Sequence, residues 1–451
     1  MTKPCYLQGC LPESKEHGKN ARWVVNFNNG NVNDNNDNNN ACVRACRASE
    51  YQGNVTLREL YNAWRMARRG KKPSKNQLSF DANWSDGLLE IQRQINSGTW
   101  EPRRSACFIA ARPKAREIHA PDFADRVVHH WLVPQLEAIW EPLFIFDSYA
   151  NRKGKGSHAA VQRLQQFVRQ VDSGQGGGWY LQLDIHNFFN SIHRHSLWVD
   201  MKPKLMRAGV SPEVMRTTHA LLRRSPLHAG VAYHGTAAER EMVPPHKRLE
   251  NAARGCGLPI GNLSSQFLAN VQLDKLDQFV KHTLKAKRYL RYVDDFVLVH
   301  HDREQLAAWL IEIEKFLARE LQLKLKPDIR LRPLKDGIDF LGYIVRPTHT
   351  LVRRRVVVHA RSTLAAWEQQ HVHASHIQAT PQELRAIQST AASYVGHMKH
   401  ADSTRLQRGI RRRFRWLPAA TRRRHFDYRL EDQQVRIPLS NSQRSRLEVR
   451  T

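Results

Sequence analysis

Asp294 and Asp295 stand together between two apolar segments, YLRYV and FVLV, and Asp184 closes the apolar run WYLQLD. Adjacent acids in a turn are ordinarily solvated and inert. Here no glycine supplies the positive φ that a tight hairpin favours, and the flanks are apolar enough to bury. An acid ending one strand beside an acid pair on a neighbouring hairpin is a donor set for two-metal phosphoryl transfer. Two Mg²⁺ ions roughly 3.5–4 Å apart, held by carboxylate oxygens, activate an attacking hydroxyl and hold a leaving pyrophosphate. Mn²⁺ can stand in for Mg²⁺. Acids crowded in this way repel one another until a cation is bound.

The elements that must hold these acids mix strands and helices without a βαβ rhythm, which predicts an α+β fold. The strands are WYLQLDI (179–185), KRYLRYVDDFVLVHH (287–301) and IDFLGYIV (338–345). Upstream, Leu57, Leu60, Tyr61, Trp64 and Met66 recur at helical spacing behind Thr56, and a second helix runs on from Asp86. Trp100 to Ala120 alternates apolar and basic residues, as in a strand pair with basic tips. FADRVVHHWLVPQLEAIWEPLF reads as a long buried helix interrupted by proline. A polar loop from about Ser225 to Gly255 leads into GLPIGNLSSQFLANVQLDKLDQFV, a glycine-marked turn opening a helix.

Beyond Arg353 the chain is helical and very basic. RRRFRWL sets Arg411, Arg412, Arg413 and Arg415 around Phe414 and Trp416. We expect a phosphate-gripping helix with stacking rings there rather than a merely solvated charged face. The last twenty-five residues read as a polar tail.

The chain of 451 residues carries 71 Lys and Arg against 42 Asp and Glu, a formal charge of +29, with a pI near 10.3. Such a field favours a polyanion, most often nucleic acid. No apolar run approaches the roughly 18–20 residues of a membrane span, and MTKPCYLQGC has no signal-peptide hydrophobic region, so a cytoplasmic location is expected. Cys5, Cys10, Cys42 and Cys46 are spaced too widely for the usual zinc pattern, and free thiols are expected. From Asn26 to Asn40 there are ten asparagines in fifteen residues. Asparagine is a poor helix former with no apolar face, so this tract is not there for folding.

YVDD at Tyr292–Asp295, joined in order to LDIHNFF, GLPIGNLSSQ and FLGY, resembles the reverse transcriptases. The likeness runs from roughly Leu57 to Trp416. It implies a right-hand polymerase with fingers over 51–178, palm over 179–347 and a helical basic thumb over 348–425, followed by the tail, 426–451. It implies that Asp184 and Asp294 are the principal metal ligands, Asp295 the third acid, and the carbonyl of Ile185 a further ligand. Phe189 matches the aromatic gate that excludes a ribose 2′-OH. SYANRKGKGSHAAV resembles the fingers segment that meets the incoming triphosphate, with Arg152 preferred over Lys153 and Lys155. Arg116 and Arg126 are further phosphate candidates, unless they pair with Asp122 or Asp125. Ile260, Gly261 and Gln266 fall at the nucleotide site, and Phe340, Leu341, Gly342 and Tyr343 at the primer grip. The general-acid lysine is not fixed; Lys324 and Lys326 both qualify.

GLPIGNLSSQ narrows the resemblance further. Ile260 stands where most reverse transcriptases carry glutamine, and Ser265-Gln266 where they carry Ser-Pro. That form is similar to the reverse transcriptases of diversity-generating retroelements, which copy a template RNA with errors at adenines. The resemblance implies dNTPs, a template RNA, a cDNA or primer strand, and a small basic accessory protein as partners. A defence-associated bacterial reverse transcriptase and a non-catalytic RNA-binding module are the alternatives. No HNH endonuclease pattern or RNase H-like acid set is visible, which disfavours a group II intron maturase. The family's template repeats are rich in AAC and AAT codons, which read as asparagine. Residues 1–50 are therefore expected to be translated template, disordered and dispensable.

Overall fold

The computed structural model describes residues 54–422 and 433–443, apart from 71, 112, 113 and 176. The Asn-rich tract and Cys5, Cys10, Cys42 and Cys46 lie outside the described residues. Among the described residues three helices come first: α1 (Leu57–Arg68), α2 (Lys75–Ala82) and α3 (Trp84–Ser97). Thr56 and Glu59 close a capping box on α1, and Gly98 ends α3 at φ +73°. α3 begins two residues before Asp86, and α2 gave no clear sequence signal. The expected strand pair is β1 (Ser105–Ala110) and β2 (Arg116–Ala120), antiparallel. The proline-bearing helix, α4 (Phe123–Trp140), starts under Asp122, whose carboxylate accepts from the Ala124 N–H at 2.9 Å, and it runs through Pro134 unbroken.

The central part follows as α5 (Ser157–Gln175), β3 (Trp179–Asp184), α6 (Arg194–Arg207), α7 (Pro212–Arg223), β4 (Val231–Tyr233) and α8 (Leu263–Gln278). Then come β5 (Tyr289–Tyr292), β6 (Asp295–His300), α9 (Arg303–Phe316) and β7 (Arg330–Pro333). Four of the strands form an antiparallel sheet in the order β5-β6-β3-β7. Its two faces explain the apolar runs. Leu181, Leu183, Phe296 and Leu298 belong to the core that includes α4, α8 and α9. Tyr180, Leu290, Val297 and Val299 pack on the other side with Leu164, Phe167 and Val168 of α5. Period-2 alternation along β3 therefore puts Gln182 and Asp184 on the α5 side. The loop expected from 225 to 255 is polar but not structureless: β4 within it pairs in parallel with β1.

The expected single strand at 338–345 is instead a hairpin, β8 (Ile338–Phe340) and β9 (Tyr343–Val345), extended by β10 (Thr350–Val352). Leu341 (φ +49°) and Gly342 (φ +91°) make its two-residue turn, and both sit in the left-handed region as a type I′ turn requires. The C-terminal part holds α10 (Arg354–His371), β11 (His376–Ala379), α11 (Pro381–Met398), α12 (Thr404–Arg413) and β12 (Val435–Pro438). Two expectations fail here. Phe414 and Trp416 do not stack outward: both are buried among Leu364, Ile377 and Leu384, because the carboxylate of Glu368 on α10 accepts the Trp416 indole N–H at 2.8 Å. The same Glu368 pairs with Arg413 at 2.9 Å. Nor is the whole tail polar, since β12 pairs antiparallel with β11 and buries Ile437. No helix among the described residues is long and apolar enough to cross a membrane.

Candidate active site

Strand register brings the three acids together. Asp184 and Asp295 are directly opposed on β3 and β6, and Asp294 occupies the turn between β5 and β6. Ile185 continues β3 and donates its N–H to the Asp294 carbonyl at 3.2 Å, holding the two acidic segments edge to edge. Like charges opposed across a sheet are destabilising. Burial, then the charge of Asp184, pushes the Asp294 carboxyl up to about 6. Burial also pushes Asp295 up to about 7, against a hydrogen bond from Gln182 Nε2 at 3.2 Å. Gln182 spends its other amide hydrogen on the Asp339 carbonyl at 3.1 Å, so Asp295 is tied to the β8–β9 hairpin.

The turn itself is unusual. Tyr292 pairs with Asp295, leaving Val293 and Asp294 as the two turn residues, and Val293 lies at φ +56°. A β-branched residue in that region costs on the order of 1–3 kcal/mol and persists only when its surroundings impose it. What imposes it is Arg291, 1% exposed at its side chain, whose Nη1 donates to the Val293 carbonyl at 2.9 Å. The guanidinium is held in turn by both oxygens of the buried Asp277 on α8 (2.8 and 2.6 Å) and by Asn270 and Ser148. Tyr289 also donates to Asp277. A charged residue inside the apolar strand YLRYV was the available sign of this network, because it demanded a buried partner.

Lys326, not Lys324, reaches the acids: its ammonium pairs with Asp184, and its N–H donates to the Asp184 carbonyl at 2.8 Å. Lys324 is exposed. A cavity of about 360 Å³ opens beside this pair, lined by His186, Asn187, His246, Lys247, Lys326 and Asp328. His246 and Lys247 come from the 225–255 loop and carried no sequence signal; Asn187 Nδ2 donates to the His246 carbonyl at 2.6 Å and fixes the loop there.

The remaining candidates lie on other elements. Phe189 is half-buried and its carbonyl accepts the Leu258 N–H at 2.8 Å, which seats it against the GLPIG segment. Ile260, also half-buried, accepts the His119 N–H at 2.7 Å, and Gln266 lies half-buried in the first turn of α8. Gly261 lies at φ +118°, and a Cβ there would stand 2.9 Å from Ile118 Cγ2 and 3.0 Å from the His119 carbonyl. Gly261→Ala is expected to cost roughly 1–3 kcal/mol and raise the KM for nucleotide, as thermal melting and steady-state kinetics would show. An alanine variant with unchanged melting and KM contradicts this.

Arg152 departs from its expected role. Its side chain is turned inward, paired with Glu141 at 3.0 Å and donating to the carbonyls of Ile145 (2.7 Å) and Ser148 (3.0 Å). Lys153 is the exposed cation of that segment, while Lys155 donates to the Phe146 carbonyl and lies 3.3 Å over its ring. Arg116 is exposed at the start of β2, and Arg126 lies over Phe123 at 5.6 Å. Asp125 is instead taken by Arg103 at 3.1 Å. Tyr343 is buried with its hydroxyl on the His397 carbonyl at 2.8 Å, which locks the β8–β9 turn to α11. Phe340 is buried beneath it. Arg411 and Arg412 are exposed, and Arg415 is half-buried.

Among the described residues no three His, Cys, Asp or Glu side chains close into a metal cage. Mg²⁺ often takes only one or two carboxylates and completes its shell with water and substrate phosphates, and the donor set fits that use. Oδ1 of Asp184 is buried without a hydrogen-bond partner, beside the Asp294 carboxyl that burial, then the Asp184 charge, raises to about 6.

An antiparallel sheet with paired acids at one strand end and an acidic hairpin beside it defines a right-hand nucleic-acid polymerase. Residues 110–345 match the family "Reverse transcriptase (RNA-dependent DNA polymerase)", and the chain belongs to that family. It is 24% identical over 316 residues to Protein YkfC of Escherichia coli, covering 62% of this chain and 75% of that one. It is 22% identical over 303 residues to the Group II intron-encoded protein LtrA of Lactococcus lactis, covering 57% of this chain and 49% of LtrA. A Putative COX1/OXI3 intron 2 protein of Saccharomyces cerevisiae is 18% identical, with 64% of this chain and 37% of that protein covered.

Proposed function

We propose that this chain copies a template-repeat RNA into cDNA, with errors at adenines, as the polymerase of a diversity-generating retroelement. The observation that carries the polymerase part is the cross-strand pairing of Asp184 with Asp295 beside Asp294. Bound Mg²⁺ would be held by Asp184 and Asp294, with the Ile185 carbonyl as the further ligand, and would activate the primer 3′-hydroxyl and neutralise the pyrophosphate. Asp295, held by Gln182, supports the pair from behind. Lys326 stands ready to give a proton to the leaving group, and His246 and Lys247 to receive its charge. Fingers, palm and thumb take the boundaries given above, except that residues 435–439 join the thumb. Arg116 and Lys153 are the phosphate contacts, and Arg411 and Arg412 the thumb's grip on the strand.

The finer assignment rests on Ile260 at a position whose backbone is fixed against β2. An apolar branched side chain in place of glutamine loosens selection opposite adenine. Ile260→Gln is expected to lower misincorporation there, read by sequencing cDNA made on an adenine-rich RNA. An even error spectrum in the native protein would overturn the retroelement assignment and leave the polymerase. The similarity to intron-encoded proteins favours, as the second reading, a general bacterial reverse transcriptase without targeted mutagenesis. Residues 1–50 are read as translated template. A nearby DNA near-repeat of the Asn-rich segment, differing mainly at adenines, supports this reading; its absence, with activity lost on deleting those residues, refutes it.

The raised carboxyls give a further expectation. Protons hold Asp294 and Asp295 up to pH about 6 and 7, and a cation competes for the same oxygens. Activity should therefore rise with pH through that window, and raising Mg²⁺ should move the acid limb of the pH–rate profile to lower pH. A limb that stays in place at all Mg²⁺ concentrations is inconsistent with metal held by these acids.

A further inference from the structure

Arg194, the first residue of α6, is a buried cation with no acid beside it. It is 7% exposed; its Nη1 donates to the carbonyls of Cys256 and Gly257, while its buried Nε–H has no acceptor. Among the described residues no carboxylate is paired with it, and burial lowers its guanidinium pKa from the ordinary value. A loop clamp explains the Nη1 bonds. It does not explain the idle Nε–H, nor why a second guanidinium, that of Arg223, lines the same cavity.

A cavity of about 130 Å³ is lined by Arg194, His195 and Trp198 of α6, His219 and Arg223 of α7, and Gly255. His219 lies on Trp198 at 4.7 Å between ring centres, with the ring planes tilted by 34°, giving an aromatic wall. Arg223 adds a second guanidinium, paired at 2.7 Å with Glu101, which also holds Arg224. Burial first, then Arg223, Lys202 and His195, keeps His219 below its usual range. None of these residues lines the cavity beside Asp184 or belongs to the carboxylate cluster.

We propose that this cavity binds a phosphate group, with Arg194 and Arg223 as its donors, His195 at its rim and the Trp198–His219 wall against the adjoining sugar or base. Phosphate is the shared chemistry of a bound RNA strand and of free phosphate or nucleotide. A planar, forked guanidinium matches its oxygens, and aromatic faces accept what is attached to it. The site stands whether or not the retroelement assignment holds.

The test uses the full chain with a chelator, so that no metal draws phosphate to the carboxylates. Diethyl pyrocarbonate modification of His195 and His219 is followed by peptide mass spectrometry, alone, with inorganic phosphate, and with a short single-stranded RNA. Exposed His301 is the control. Slower modification of both residues, with His301 unchanged, is the expected result. Protection by phosphate identifies a site for free anions, and protection by RNA alone identifies one for a strand. Arg194→Met also frees the loop, so Arg223→Gln carries the variant arm. It should weaken the protecting ligand about tenfold or more, the loss of one charge-assisted contact, with melting unchanged. No protection by either ligand, or equal protection in Arg223→Gln, overturns the proposal.

Discussion

Asp294→Asn is expected to abolish primer extension while leaving RNA binding nearly intact. The amide keeps the shape of the side chain and, through the backbone, the bond from Ile185, but it removes an anionic ligand. Loss of metal-assisted chemistry should amount to at least about a thousandfold, or about 4 kcal/mol of barrier. Single-turnover extension on an RNA template measures the chemistry, and filter binding measures the RNA affinity. The basic surface is unchanged, so binding should not follow the rate down. The neutral amide also relieves repulsion with Asp184, so the metal-free variant should melt no lower than the native protein. Extension near the native rate would remove the basis for assigning these acids.

The second large effect is expected at Arg291. Replacing it by methionine strands Asp277 as an unpaired buried carboxylate, which typically costs about 3–5 kcal/mol. The replacement also frees the Val293 carbonyl, so the strained turn relaxes and carries Asp294 with it. Denaturant melts should show the loss of stability, and kcat should fall more than KM rises. Arg291→Met with Asp277→Leu separates the two roles. The apolar pair should recover most of the stability, since a buried ion pair seldom exceeds a well-packed apolar one. It should not recover kcat, because nothing then holds Val293. A single variant that loses under about 1 kcal/mol shows that the network is not what fixes the turn.

The acids and the strands that carry them were legible because burial on both faces leaves little freedom in what such a run can be. The β8–β9 turn was not. Gly342 was its one available mark, but Leu341 there and Val293 in the β5–β6 turn also take the left-handed region, and neither residue type signals it, so the apolar run around Gly342 reads as one continuous strand. Arg152 and the pair Phe414 and Trp416 were misplaced for a different reason. Basic and aromatic residues look the same in sequence whether they face a phosphate or a glutamate, and only Glu141, eleven residues before Arg152, and Glu368, forty-eight before Trp416, decide between them. β12 has no local signal either, because its partner β11 precedes it by more than fifty residues. His246 and Lys247 became visible only when Asn187 was seen to hold their loop beside Asp184.

The strand order of the palm sheet has a consequence for how the chain is made. β3 lies in the middle of the sheet, yet both of its neighbours come later in the chain; Gln182 meets Asp295 across 113 residues. At about 5–20 residues per second, synthesis leaves this apolar strand with two open edges for on the order of ten seconds. During that interval it is a template for pairing with other nascent chains. The helices already made, α4 and α5, contribute to the cores on either face of β3 and can cover its surfaces, but not its edges. A translating cell therefore has to shield this segment until β6 and β7 emerge, and the yield of active enzyme depends on how slowly other chains arrive there first.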